Sequence, residues 1–365
     1  MARRTGSFLV PLVSPLLAVL CACALAGVLV VLIGENPGHV LQVVWNGVLR
    51  TPDGIAAILF NATALIFTGL SVAFAFRAGL FNIGAEGQLI VGAFATTLVA
   101  LALPGLPALL LVPLCVLAAA AGGAVWAAVP GILRARLGAH EVINTIMMNF
   151  IASGLTGYFT VHVLKEPGQM IPQTSSIAAA ARIPRLGELA FPGNPVPAAS
   201  PANTALLLAI GVAVLVGWLL RRTPFGFEVR ALGQGERAAR TAGLPTRRTL
   251  VAAMALAGAI AGLGGVNEVL GFRYRFLDGF SSGVGFLGIA VALLGRARVT
   301  GVVAAALLFG ALSAGALEID LFTEVPRELM LVVQAAILLL VVAGDGLFRA
   351  WLTGRLHSQG GAHDA

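Results

Sequence analysis

Charge is scarce in this chain. Of its 365 residues 11% are charged and 58% hydrophobic, whereas a soluble domain carries about a quarter charged residues. A soluble globular enzyme is excluded, and the composition is that of an integral membrane protein. Cysteine is sparse as well. Cys21, Cys23 and Cys115 lie in apolar runs, without the histidines or further cysteines that a metal site requires, so they are assigned neither metal nor catalytic chemistry. No Gly-x-x-x-x-Gly-Lys-Ser/Thr phosphate loop occurs anywhere, and the chain is not expected to bind ATP in the usual way. Nor is there a polar stretch long enough for a soluble domain.

What the chain does have is apolar runs. A membrane crossing needs about 20 largely apolar residues, and such runs predict ten helices, at 11–33, 55–76, 80–103, 108–130, 142–164, 202–220, 249–270, 283–295, 300–317 and 329–343. The fold expected is therefore all-α, a polytopic transmembrane domain over 1–345 followed by a cytoplasmic tail, 346–365. The run at 283–295 is too short for an ordinary crossing and is expected to be tilted, continuous with its neighbour or re-entrant. The apolar stretch after Arg3 and Arg4 lacks a clear cleavage site and reads as a retained first span.

The net charge of +7 does not point to nucleic acid, because the basic residues are scattered through short loops. With both termini cytoplasmic and ten alternating spans, most of the 23 basic residues fall on the inner side, Arg3, Arg4, Arg77, Arg349 and Arg355 among them, as the positive-inside rule expects.

Two segments interrupt the apolar pattern. Residues 165–201 hold seven prolines and read as an irregular external loop, either a connector or a docking surface. The cytoplasmic loop 221–248 contains a short helix over Glu236–Ala242, stopped by Gly243 and Pro245. An amphipathic helix there suits a partner's groove or the membrane surface, and both readings stand on the residues alone.

Polar residues inside apolar runs carry the functional suspicion. Asn82 and Glu86 are four apart among Gly79, Gly84 and Gly87, a combination that lets a helix break at membrane depth. An intramembrane acid costs roughly 2.5 to 3.5 kcal/mol unless it faces a cavity or protein, so Glu86 is either a functional group or one half of a buried pair. Glu141, Thr145, Asn149 and Ser153 recur every four residues and predict one polar stripe, facing other helices or an aqueous path. Glu268 lies at the outer end of the seventh span near Arg273. Gly283 to Arg296 weakly echoes the glycine pattern around Asn82.

Gly79-Leu-Phe-Asn-Ile-Gly-Ala-Glu-Gly-Gln, His140-Glu-Val-Ile-Asn-Thr-Ile-Met-Met-Asn, the Arg230 to Gly243 segment and Gly288-Ile-Ala-Val-Ala-Leu-Leu-Gly-Arg together resemble the permease subunits of ABC importers for nucleosides and simple sugars, within the branched-chain amino acid and ribose permease family. The resemblance spans about residues 55–345. It implies a fold similar to the cobalamin-type importers and a bacterial inner-membrane location. It also implies two permeases, often non-identical in nucleoside systems, two ATPase chains carrying ATP and magnesium, and an extracytoplasmic solute-binding lipoprotein. The helix over Gln234, Gly235, Glu236, Arg237, Ala238, Ala239, Arg240 and Gly243 would be the coupling helix seated in the ATPase. Where relatives often have Asn-Pro this chain has Gly235-Glu236.

A nucleoside is uncharged and rich in donors and acceptors, so amides beside an aromatic suit it. Phe81, Asn82, Glu86, Gln88, Asn144 and Asn149 are the expected solute path, in a complex with membrane lipids around it and no nucleic acid. The alternatives are an ion-coupled secondary transporter using Glu86 or Glu268, and an ABC permease for simple sugars or branched-chain amino acids.

Overall fold

The computed structural model describes residues 6–189, 195–341 and 343. The helices are α1 (Gly6–Ile33), α2 (Pro37–Val44), α3 (Pro52–Arg77), α4 (Ala85–Ala102), α5 (Ala108–Leu137), α6 (Glu141–His162), α7 (Ala205–Arg222), α8 (Pro224–Gln234), α9 (Glu236–Thr241), α10 (Thr246–Glu268), α11 (Val284–Leu294) and α12 (Val299–Phe322), followed by α13 (Glu328–Val341). Among the described residues the only extended pairing is isolated bridges.

Each predicted span coincides with a helix. Six are long and apolar enough to cross a membrane by themselves, and a seventh arises if Val19–Ile33 and Pro37–Leu49, bent by 118°, make one broken span. The sequence did not anticipate the 37–49 helix. The remaining helices fall short for separate reasons: α6 carries its polar stripe, while α11 and α13 are short. At 11 residues α11 rises only about 16 Å, half of a hydrocarbon core. The predicted tail 346–365, with Arg349 and Arg355, lies outside the described residues, as do Arg3 and Arg4.

The chain divides into two compact units, Met1–Gly47 with Gly315–Ala365, and Val48–Ala314. In the first, the chain turns at Gly34, whose φ of +97° favours glycine. Asn36 then caps α2, its Oδ1 accepting the Gly38 N–H at 2.8 Å. Val30, Val40, Ile319, Val325 and Leu329 form an apolar core there.

The second unit is built around α3 and α10. Thr51 caps α3, its Oγ1 accepting the Gly54 N–H at 3.1 Å, with Pro52 in the first turn. Residues 62–75 of α3 are buried without interruption, as expected of a helix surrounded by protein. α10 packs against α3, α4 and α5 through small residues. A Cβ on Gly92 would strike Gly262 Cα, one on Gly123 would strike the Gly258 carbonyl, one on Gly258 would strike the Gly123 carbonyl, and one on Gly265 would strike Ala93. In lipid there is no hydrophobic drive between helices, so close backbone approach supplies the attraction.

Among its described residues the segment 165–201 holds only three-residue 3-10 turns and isolated bridges, and hydrogen bonds tie it to the chain after α10. Thr174 and Ile177 donate their N–H groups to Phe276 O at 3.0 Å and Tyr274 O at 2.8 Å, and Ile183 donates to Leu270 O at 3.0 Å. Arg275 Nη1 pairs with Glu166 Oε2 at 2.7 Å. Prolines limit its donors, yet enough amides remain to pair with the chain after α10.

Candidate functional site: a broken-helix cluster and the segment beside it

Between α3 and α4 the chain makes a turn at residues 78–84. Gly79 takes φ +72°, and the chain re-enters a helix at Ala85. Asn82 anchors this turn. Its Oδ1 accepts the Gly84 N–H at 3.0 Å and Gln88 Nε2 at 3.0 Å, while its Nδ2 donates to Gln88 Oε1 at 2.9 Å and Ser71 Oγ at 3.2 Å. The two amides exchange a reciprocal pair of bonds, and both residues are fully buried. Asn82, Gln88 and Ser71 thereby hold α4 in register with α3.

Glu86 lies in the first turn of α4 and reaches across to α11. Its Oε1 accepts Ser281 Oγ at 2.5 Å and the Gly283 N–H at 3.1 Å, and its Oε2 accepts the Gly285 N–H at 2.6 Å. The carboxylate caps the N-terminus of a helix that begins at Val284, where unsatisfied N–H groups and the positive end of the dipole favour an anion. A second helix start, its own, lies at the carboxylate's base. The buried negative charge is thus compensated by backbone and hydroxyl donors. Gly285 has no side chain because a Cβ would overlap the Glu86 backbone.

α6 supplies the third element. Asn149 Oδ1 accepts the Gly87 N–H at 2.9 Å and its Nδ2 donates to Ile83 O at 3.0 Å, so the residue grips both sides of the α4 start. The buried face of α6 runs through Thr145, Asn149, Ala152, Thr156 and Thr160. Ser153, predicted to share the stripe, is exposed. Steps of four advance 400° about the axis, and the pattern drifts off the contact face at that point.

Of the six predicted path residues, Asn82, Glu86, Gln88 and Asn149 are bonded within the chain. Phe81 is 37% exposed, with its ring centroid 5.1 Å from that of Phe76. Asn144 is half-buried, and its Nδ2 has no hydrogen-bond partner among the described residues. Glu268 Oε2 pairs with Arg273 Nε at 3.0 Å.

The cytoplasmic loop carries two helices, of which α9 matches the short helix expected over Glu236–Ala242 and α8 precedes it. Thr223 caps α8, its Oγ1 accepting the Gly226 N–H at 3.0 Å. α8 ends at Gln234, and the chain is extended at Gly235 before α9 starts at Glu236. The break at Gly235 leaves Gln234 and Gly235 outside α9, whereas the coupling helix implied by the resemblance included both. The stop after α9 is as expected: Gly243 has φ +81°, and Leu244 donates its N–H to Ala239 O at 3.1 Å, closing the carbonyl end. Ala239 is buried and anchors α9; Gln234, Arg237, Ala238, Arg240 and Gly243 are exposed.

This segment touches the broken helix directly. A Cβ on Gly233 would collide with the Arg77 carbonyl, and one on Gly79 would come within 3.2 Å of Gly233 Cα. On its other side, Arg134 near the end of α5 faces Glu141 at 3.3 Å and Glu236 at 3.7 Å. The partners Ser71, Ser281, Gly285 and Arg134 were missed from sequence. A signal existed for Gly285, in the echo between the two glycine-rich segments, but nothing local announces Ser71.

The family described as "branched-chain amino acid transport system / permease component" matches residues 54–342. The chain is 38% identical to the guanosine ABC transporter permease protein NupP of Bacillus subtilis, over 99% of each chain. It is 35% identical to the glucose ABC transporter permease protein TsgB13 of Haloferax volcanii, over 94% of this chain and 90% of that one. The nucleoside ABC transporter permease protein NupB of Lactococcus lactis is also 35% identical, over 93% and 92%. With its run of apolar helices, the chain is a multi-pass membrane protein and belongs to this family of ABC transporter permease subunits.

Proposed function

We propose that the chain is the permease of an ABC importer for nucleosides. The near-full-length similarity to two nucleoside permeases carries this reading. ATP and its magnesium are held by separate ATPase subunits, a solute-binding lipoprotein delivers the cargo outside, and a second, non-identical permease completes the path. Both termini face the cytoplasm, which places α8 and α9 on the side of the ATPases.

The exposed face of α9, Arg237, Ala238 and Arg240 with Gln234, then seats in the ATPase, while Ala239 and the Gly233 contact tie it to this chain. Displacement of α9 is delivered to two turns at once: to residues 77–84 through Gly233, and to the α5–α6 turn through Arg134. Both turns lead into the cluster of Asn82, Gln88, Glu86 and Asn149. In this reading the cluster keeps the starts of α4 and α11 rigid, so that they move as one body. Phe81 and Asn144 are the residues with surface and bonding capacity left for solute. A solute shifts the inward and outward states only by its differential affinity for them, and an aromatic and an amide at the edge of a moving turn supply such a difference.

Simple sugar is the second reading, supported by the similarity to the Haloferax glucose permease. Uptake of labelled purine nucleosides and glucose by the assembled complex separates the two. An ion-coupled carrier is disfavoured because Glu86 is held by three donors and Glu268 by Arg273.

A further inference from the structure

A cavity of about 330 Å³ opens at the end of the second unit that carries α8, lined by Arg77, Arg221, Arg230 and Arg298 with Gly217 and Leu220. Four arginines from four different elements thus line one space, and no acidic residue lines it with them. Arginine stays charged under all ordinary conditions, so these groups repel one another unless an anion lies between them. The Arg77 side chain is fixed as a wall, donating from Nε and Nη2 to Ala297 O at 3.0 and 2.9 Å. That carbonyl is presented by a tight turn in which Arg296 and Ala297 both take positive φ, 52° and 49°, a conformation costly for residues with side chains. Arg230 Nη1 is buried and has no hydrogen-bond partner among the described residues. Leaving such a donor unpaired is costly. Beside it, α12 begins at Val299 on the same wall, and the first amides of a helix have no acceptor of their own and favour an anion.

We propose that this cavity is a phosphate-binding site, taking the phosphate of an anionic phospholipid headgroup. The surroundings favour lipid as the source. The cavity flanks the last turn of α7, whose Val214, Leu215 and Trp218 are exposed, and an exposed tryptophan one turn before a pair of arginines is the pattern of a membrane interface. Bidentate guanidinium contacts suit phosphate oxygens better than a point charge would. The inference goes beyond the transport reading and does not depend on which solute is carried.

The test is native mass spectrometry of the full chain purified with its partner subunits in mild detergent. It is combined with thermal unfolding of delipidated protein on addition of phosphatidylglycerol, phosphatidylcholine or inorganic phosphate. Phosphatidylglycerol retained by the wild type, and retained about tenfold less by Arg230→Gln and by the exposed variant Arg298→Gln, is the expected result, a charge-assisted hydrogen bond being of that order. Arg248→Gln, outside the cavity, should match the wild type. Stabilisation by inorganic phosphate alone, lost in Arg230→Gln, would keep the site and assign it a soluble phosphate. Equal lipid retention and equal phosphate response in wild type and both cavity variants would overturn the proposal. So would loss of the ATPase subunits from Arg230→Gln with lipid retention unchanged, which would give the arginines to a protein contact.

Discussion

Gly233 meets the backbone of Gly79 with no side chain between them, and a methyl group at Gly233 would overlap the Arg77 carbonyl. This glycine contact joins the segment expected to receive the ATPase to the turn that carries Asn82. Gly233→Ala should therefore separate the two surfaces. Uptake is expected to fall about tenfold or more, because a displacement near 1 Å remote from the working site costs up to a hundredfold, while ATPase subunits still co-purify. Unchanged uptake with Gly233→Ala would remove this contact from the coupling route.

Glu86 offers a sharper distinction between structure and ion carriage. In Glu86→Ala the Gly283 and Gly285 amides and the Ser281 hydroxyl lose their acceptor, at about 3 kcal/mol or more. Glu86→Gln keeps the shape but turns an amide donor toward one of these N–H groups, and should also lower the unfolding temperature in detergent. A Glu86→Gln protein that unfolds like the wild type, yet no longer transports, would instead make this acid a proton carrier.

Asn149 bonds to Gly87 and Ile83 on either side of the α4 start. Asn149→Ala removes both bonds, costing about 2 kcal/mol, and should loosen the helix start. Reduced thermal stability accompanying reduced uptake is expected. Loss of uptake with unfolding and assembly unchanged would place the amide in solute contact instead.

Gly262 is enclosed by the backbones of α4 and α5. Gly262→Leu should prevent the close approach of α10 and cost more than the ~1–3 kcal/mol of ordinary overpacking. Expression of folded protein, read by size-exclusion in detergent, should collapse. Gly211→Leu, where nothing lies within 4 Å, should leave the profile unchanged.

The helices were legible because lipid demands long apolar runs, and the end of α9 because Gly243 carries local capping chemistry, whereas the Thr51 cap of α3 went unread. The cluster around Asn82 and Glu86 was legible as residues that ought not to be at membrane depth. Their partners were less so. Ser71 and Ser281 are small hydroxyls in ordinary surroundings, 11 and 195 residues away from the groups they bond, and no periodicity links them. The short helix from Glu236 was legible in its helix-forming residues and its Gly243 stop, whereas α8 before it, which ends at the extended Gly235, was not. The pairing of 172–183 with the chain after α10 is likewise tertiary, with no strand pattern to reveal it.

The most direct test of the account is uptake of labelled guanosine, other purine nucleosides, glucose and ribose into proteoliposomes holding this chain with its partner permease, ATPase subunits and binding protein. The account predicts purine nucleoside uptake that requires hydrolysable ATP on the ATPase side and is indifferent to uncouplers. Uptake driven by an ion gradient without ATP, and abolished by an uncoupler, would contradict it.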